Sequence, residues 1–167
     1  EGQNLLLEVD AIANRVKRVA TGWEPQLTIA VDSIIDRSTV MELCESFYQL
    51  NPPTRLKLRG ETLSGTLEAL TSGQADLALG AVMDGSGTTG LQREKLGTVY
   101  FAFAVAPHHP LADVQQALSD QLIRAYRAVA IADSVQRGSS VSIGLLHGQD
   151  VFTVADLPSK LDAQVRG

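Results

Sequence analysis

Residues able to do chemistry are few in this 167-residue chain: three histidines, one cysteine and a short run of closely spaced glycines. His108 and His109 adjoin in "APHHPLA". Neighbouring side chains on an extended segment point to opposite sides, and no Cys or carboxylate stands at a metal-ligand spacing from either. They read as turn residues between two prolines. His147 is isolated, and Cys44 has no second thiol for a disulfide or a thiolate metal site. Cys44 falls on the apolar face of a helical run with no His or Lys close in sequence to lower its pKa, which predicts a small buried hydrophobe. There is no G-x-S-x-G elbow and no evident His–carboxylate pair beside any serine. These patterns predict no catalytic residue, no metal and no cofactor, and hence no enzyme.

Gly85, Gly87 and Gly90 satisfy G-x-G-x-x-G to the letter. A dinucleotide fingerprint must follow a strand and open a helix, because the phosphate sits on that helix N-terminus. "LQREKLGTVYF" comes next and has no helical apolar face. A surface loop is the expectation.

The elements that must position any site follow from hydrophobic period. Leu5, Val9, Ile12, Val16 and Val19 are spaced by four, three, four and three residues, an a/d seam between charged positions. The seam suits a dimerising coiled coil or an amphipathic helix on its own domain. Gly22 and Pro25 end it. The only tryptophan, Trp23, lies at that boundary. "LTIAV" predicts a buried strand. "DRSTVMELCESFYQLNPP" predicts a helix with a Thr39/Glu42 capping box, closed by Pro52 and Pro53. "TRLKLRGE" reads as a strand, "TLSGTLEALTSG" as a helix with Gly73 at its C-terminal cap, and "ADLALGAV" as a further strand. That βαβαβ order implies a parallel sheet with a crevice at the strand carboxyl ends. Beyond "MDGSGTTG", Val99–Val105 predicts a long strand, "VQQALSDQLIRAY" a helix and "RAVAIAD" a strand. "SVQRGSSVSIGLLHGQ" reads as a loop, and "DVFTVADLPSKLDAQVRG" as a strand and a helix capped by Asp156 with Pro158 in its first turn.

A hydrophobic fraction of 44% and a charged fraction of 20% are ordinary globular usage. A net charge of −5 argues against this polypeptide holding nucleic acid by itself, since phosphate binding needs clustered Lys and Arg. No apolar run approaches the ~20 residues that span a bilayer. The start lacks methionine and signal-peptide features, and the lone cysteine suits a reducing compartment.

Several strings resemble the LysR-type transcriptional regulators. "GWEPQLTIAVD" is similar to the start of their effector-binding domain after the linker helix, and "ALTSGQADLALG" to their "L..G..D.ai" segment. "LGTVYFAFAVAPHHPLA" resembles their crossover strand ending in "HPLA", and "VADLPSKLDAQVRG" the helix leading to a "G.G...lP" stretch. The resemblance implies an α/β fold of two Rossmann-like lobes with mixed sheets, similar to type 2 periplasmic binding proteins and preceded by a linker helix. The implied division is residues 1–22 as the end of the dimerising linker helix, 23–97 as lobe I and 98–167 as part of lobe II. It also implies a chain truncated at both ends, with the return crossover and the final helix of the first lobe missing.

The implied function is effector sensing and dimerisation in a cytoplasmic bacterial regulator, with a small polar or weakly acidic metabolite between the lobes. Partners would be that effector, a second copy in a homodimer or tetramer, and DNA only through a missing N-terminal helix-turn-helix, with no membrane. An extracytoplasmic solute-binding protein of the same architecture is the alternative. By resemblance the effector contacts are Ser33, Ile34 and Ile35; Glu61, Thr62 and Leu63; Gly80; and, across the cleft, Asp133, Ser134, Val154 and Asp156. The strand order points to the same rims, where helix N-termini at strand ends would present free N–H groups of positive partial charge.

Overall fold

A computed structural model describes residues 12, 13, 16, 20, 22–82 and 90–167. The four isolated positions at the start are helical, and Ile12 and Val16 of the predicted seam are both exposed there. Leu5, Val9 and Val19 lie outside the described residues, as do Gly85 and Gly87 of the glycine run.

The first sheet is built as its periodicity predicts. Strand β1 (Gln26–Asp32) lies between β2 (Arg55–Glu61) and β3 (Leu77–Leu79), and both pairings are parallel. In register, Asp32 stands beside Glu61, and Val31 beside both Gly60 and Leu79. The order β2-β1-β3 sends one connection to each side of β1, creating the topological switch point where open α/β sheets place a crevice. All three carboxyl ends face that crevice.

Two helices complete this unit, α1 (Arg37–Gln49) and α2 (Ser64–Thr71). Close packing of α2 rests on small residues: Ala30 is fully buried in β1 beneath Ala69 of α2 and Ala75 of the following turn. Three alanines in contact let helix and strand approach without a void. Gly73, at φ +73°, follows the Ser72 C-cap in the left-handed conformation that glycine tolerates best.

Helix α1 starts differently from expectation. Asp36 is its N-cap, accepting from the N–H groups of Ser38 (2.9 Å) and Thr39 (3.4 Å), so the cap lies three residues upstream of Thr39. Asp is at least as good an N-cap as Thr, and its carboxylate also suits the positive helix end. Of the expected apolar face, Val40, Leu43, Cys44, Phe47 and Leu50, only Val40 is buried; Cys44 and Phe47 are half-buried, and Leu43 and Leu50 are exposed. Trp23 meets Phe47 edge-on at 6.1 Å between ring centroids, and Phe47 meets Tyr48 in the same manner at 5.7 Å.

The second sheet pairs β4 (Ala128–Ile131) with β5 (Val151–Val154), again in parallel. Helix α3 (Asp120–Arg124) precedes it and α4 (Leu157–Arg166) follows. The sequence predicted a longer helix from Val114. Ser119 instead accepts from the N–H of Leu122 and caps the start, which divides that window in two. Asp156 caps α4 as predicted, accepting from the Ser159 N–H at 2.9 Å with Pro158 in the first turn.

Two expectations are corrected. Every ladder among the described residues is parallel, where the resemblance implied mixed sheets. The segment 99–105, expected as a crossover strand, forms no ladder, and Tyr100 and Phe101 are exposed. Strand propensity is realised only through a partner's N–H and C=O groups, and none of the described strands lies alongside it. His108 and His109 do form a turn: the Nδ1 of His109 accepts from the Leu111 N–H at 3.1 Å, and the ring meets Tyr126 edge-on.

A buried polar tie joins β1 to α2. The hydroxyl of Thr66, which is fully buried, donates to an Asp32 carboxylate oxygen at 2.9 Å. Thr66→Val keeps the shape and removes the donor, so we expect a loss of about 1–3 kcal/mol in urea-unfolding stability. An unchanged unfolding midpoint would show that this bond contributes nothing net.

Candidate binding site at the strand carboxyl ends

The carboxyl end of β1 runs into a turn shaped by Asp32. Its carboxylate accepts from the N–H of Ile34 at 2.9 Å, and its carbonyl accepts from the N–H of Ile35 at 3.0 Å. The Ser33 N–H donates to the Glu61 carbonyl at 3.0 Å, tying this turn to the end of β2. Gly80, just after β3, closes the crevice on its other side. Its φ is +81°, and a Cβ there would stand 2.9 Å from both the Asp32 Cβ and the Ile35 Cγ1. Only glycine fits both the conformation and the space.

Opposite stand Asp133 and Ser134, directly after β4. Ala132 continues the parallel pairing by donating to the Val154 carbonyl at 2.8 Å. The two sheets then meet through side chains and backbone together. The Thr62 hydroxyl donates to the Ala132 carbonyl at 2.6 Å, the Thr62 N–H donates to the Ser134 hydroxyl at 2.9 Å, and the Ser134 N–H donates to the Thr62 carbonyl at 3.3 Å. The Ser134 hydroxyl also reaches a Glu61 carboxylate oxygen at 2.5 Å, while Arg59 bonds the other oxygen of that buried carboxylate. Leu63 turns the chain into α2 with φ 52° and ψ −123°, a strained conformation for a residue with a Cβ.

Nine of the eleven expected positions are therefore linked along one rim. Ser33, Ile34, Ile35, Glu61 and Thr62 form one side with Leu63 and Gly80, and Asp133 and Ser134 face them from the other. Val154 and Asp156 lie further along. Val154 reaches the rim through Ala132, and Asp156 caps α4, whose Leu157 N–H points at the Ser33 hydroxyl at 3.4 Å.

The helix-terminal N–H groups expected to be free are largely engaged. Asp133 accepts from the N–H groups of Gly65 (3.2 Å), Val135 (3.0 Å) and Val141 (2.9 Å). Asp36 and Asp156 hold the first turns of α1 and α4. The positive partial charge at these termini is met by the chain's own carboxylates. Burial pushes the Asp133 carboxyl pKa up, but the amides of Val141, Val135 and Gly65 and the Ser64 hydroxyl outweigh it and leave the group below its ordinary value. Bonding to Ser159, assisted by the nearby Arg37 charge, also lowers Asp156.

A separate hollow of about 350 Å³ lies behind this rim, between the 101–106 segment, β4 and α4. Its lining includes Phe101, Phe103, Tyr126 and Ile131, and of the rim residues it touches only Leu63. Its apolar walls are interspersed with the polar side chains of His109, Arg127, Gln149, Lys160 and Gln164.

This geometry coincides with a sequence match. Residues 20–143 match the family model of the LysR substrate binding domain. The chain belongs to that family. A relative 36% identical over 167 residues is an uncharacterised HTH-type transcriptional regulator, YeeY, of Escherichia coli strain K12; the match covers 100% of this chain and 54% of the relative. The HTH-type transcriptional regulator PunR of the same strain is 26% identical over 95% of this chain and 51% of its own length. The HTH-type transcriptional activator AllS of Klebsiella pneumoniae is 27% identical over 95% of this chain and 59% of its own. The chain thus spans about half the length of the curated relatives it matches. Each of these relatives is named as an HTH-type transcriptional regulator or activator.

Sequence reasoning missed Asp32, Gly65, Thr66 and Glu68 of this LysR-family domain. Gly65 sits where a Cβ would stand 1.9 Å from the Ser134 hydroxyl oxygen, so its small size is set by a residue 69 positions away in the chain. The glycine within "TLSGTLEAL", at the start of a helix, was the one available signal. Thr66 and Glu68 stand two residues apart on α2, about half a turn, and so face different partners.

Because the folded pKa of Asp133 is depressed, its contribution to stability is present above the unfolded carboxylate pKa and lost as pH falls through the folded one. Asp133→Asn should therefore lower the melting temperature at neutral pH and flatten its fall between about pH 5 and pH 3. Parallel melting curves for the two proteins across that range would contradict the assignment.

Proposed function

We propose that this chain is the effector-sensing part of a LysR-type DNA-binding transcriptional regulator, and that a small polar or weakly acidic metabolite binds at the rim joining the two sheets. The observation that carries the reading is the meeting of the β2 and β4 carboxyl ends in one polar contact of Glu61, Thr62, Asp133 and Ser134, tied to β1 through Ser33 and to β5 through Ala132. In an open α/β sheet such ends are where ligands bind. Effector contacts are assigned to Ser33, Ile34, Ile35, Glu61, Thr62, Leu63, Gly80, Asp133, Ser134, Val154 and Asp156. The carboxylates of Glu61, Asp133 and Asp156 oppose a highly charged anion, and the engagement of the helix-terminal N–H groups points the same way.

Residues 23–97 and 98–167 are read as the two effector-binding lobes, and 1–22 as the end of a dimerising helix. A homodimer or tetramer is the proposed assembly. Exposed Met41 and Leu43 on α1, Leu50 at its C-cap, and Leu161 and Val165 on α4 supply apolar surface for a second copy. DNA contact is assigned to a helix-turn-helix outside this chain, a reading supported by the net charge of −5. The cytoplasm is the compartment such a regulator works in, and no catalysis, metal or cofactor forms part of this reading. Trp23, held edge-on against Phe47, is assigned to the joint between helix and sensor.

Regulation requires an effector that binds one arrangement of the lobes better than another. Calorimetric titration with sets of neutral, monocarboxylate and polyanionic metabolites checks the assignment. Binding of a neutral or singly charged compound, weakened at least tenfold by Thr62→Val and by Ser134→Ala, is the expected outcome. Tight binding of polyanions or cations alone would overturn the effector class, and retention of full affinity in both variants would move the site elsewhere.

A further inference from the structure

Two carboxylates cross between the sheets in opposite directions. Glu68 projects from α2 and accepts from two successive backbone N–H groups in the loop after β4, those of Gln136 (2.6 Å) and Arg137 (2.7 Å). Asp133 in that same loop accepts in return from the Gly65 N–H at the first turn of α2, at 3.2 Å. A carboxylate that accepts from backbone amides makes hydrogen bonds stronger than neutral ones, and two reciprocal pairs fix orientation as well as distance.

Between these pairs the backbones come closest. A Cβ on Gly65 would meet Ser134 at 1.9 Å from its Oγ, 2.8 Å from its carbonyl carbon and 2.9 Å from its Cβ. The carbonyl carbon cannot swing aside as a side-chain tip could, so any larger residue at 65 must separate the two elements. We propose that Glu68, Asp133 and Gly65 form a clasp that closes the cleft with the chain's own side chains, so that closure does not require a bound effector. Opening the clasp frees the amides of Gln136 and Arg137 together and leaves the Gly65 N–H on the Thr62 carbonyl alone, 3.1 Å away. It is the two-arrangement element on which an effector acts, by binding one arrangement better than the other.

The inference rests on reading the two sheets as separate lobes of an effector-binding domain, and its test is independent of any ligand. In the full 167-residue chain with Cys44→Ser, spin labels at Glu45→Cys on α1 and Gln121→Cys on α3 report the separation of the two sheets by double electron–electron resonance. The parent should give one narrow distance distribution. Glu68→Ala, a change at a solvent-facing clasp bond, should enlarge the long-distance population roughly tenfold. Gly65→Val should shift nearly all of the distribution to longer distance, and Glu42→Ala, which removes an exposed carboxylate on α1, should leave it unchanged. Far-UV circular dichroism and a cooperative melt establish folding for each variant, and Glu68→Ala decides the question if Gly65→Val fails to fold. An unaltered distribution in folded Glu68→Ala would overturn the clasp and leave the effector assignment standing. Failure to bind any metabolite would sink that assignment while leaving the distances as they are.

Discussion

The double parallel pairing of β1 is the constraint on which the rest of this structure depends. A strand with neighbours on both sides and a helix over its face must be short in side chain where the helix packs, and Ala30 answers that need. Parallel pairing then makes all three strands end on one edge, so three turns meet there with their amides facing the same space. Antiparallel pairing would have sent alternate turns to opposite ends. Everything at the rim, including the Asp32 turn, the Glu61–Ser33 tie and the glycine at 80, follows from that common direction.

The second sheet repeats the arrangement with fewer strands, and its own carboxyl end is turned toward the first. The meeting is polar: hydroxyls, amides and carboxylates from Thr62, Ser134, Glu61 and Ala132 satisfy one another across the boundary. A contact of that kind is strong when every partner is present and costly when one is missing. It can therefore hold a defined geometry and also exchange partners for those of a ligand, which an apolar seam could not do. The hollow behind the rim differs in kind, being bounded on one side by a segment, 101–106, that forms no ladder.

Much of this was legible in residue order. The five strands β1 to β5, the helices over 37–49, 64–71 and 157–166, the Asp156 cap and the turn at His108 and His109 all stood in the hydrophobic period and the cap residues. Local physics decides such features, since a cap or a turn is made by residues within four positions of one another. The errors share one cause. Residues 99–105 have high strand propensity but no partner, the helix expected from Val114 starts only after Ser119, and the apolar face of α1 leaves Leu43 and Leu50 in the open. In each case the pattern described what a segment favours, and a neighbour or a competing cap determined whether it was realised.

Sequence by itself determined the class of the molecule and the edge at which its parallel strands end. The alternation of strand and helix dictates parallel pairing, parallel pairing dictates a common rim, and an acidic composition keeps phosphate binding away from this part of the chain. Tertiary structure alone decided how the rim is used. That Gly65 must be small for Ser134, that Thr66 must donate to Asp32 and that Glu68 must reach the amides at 136 and 137 are requirements between residues 34 to 69 positions apart. No local periodicity encodes such pairs, because the distance between them is set by the packing of separate elements and not by the geometry of any one.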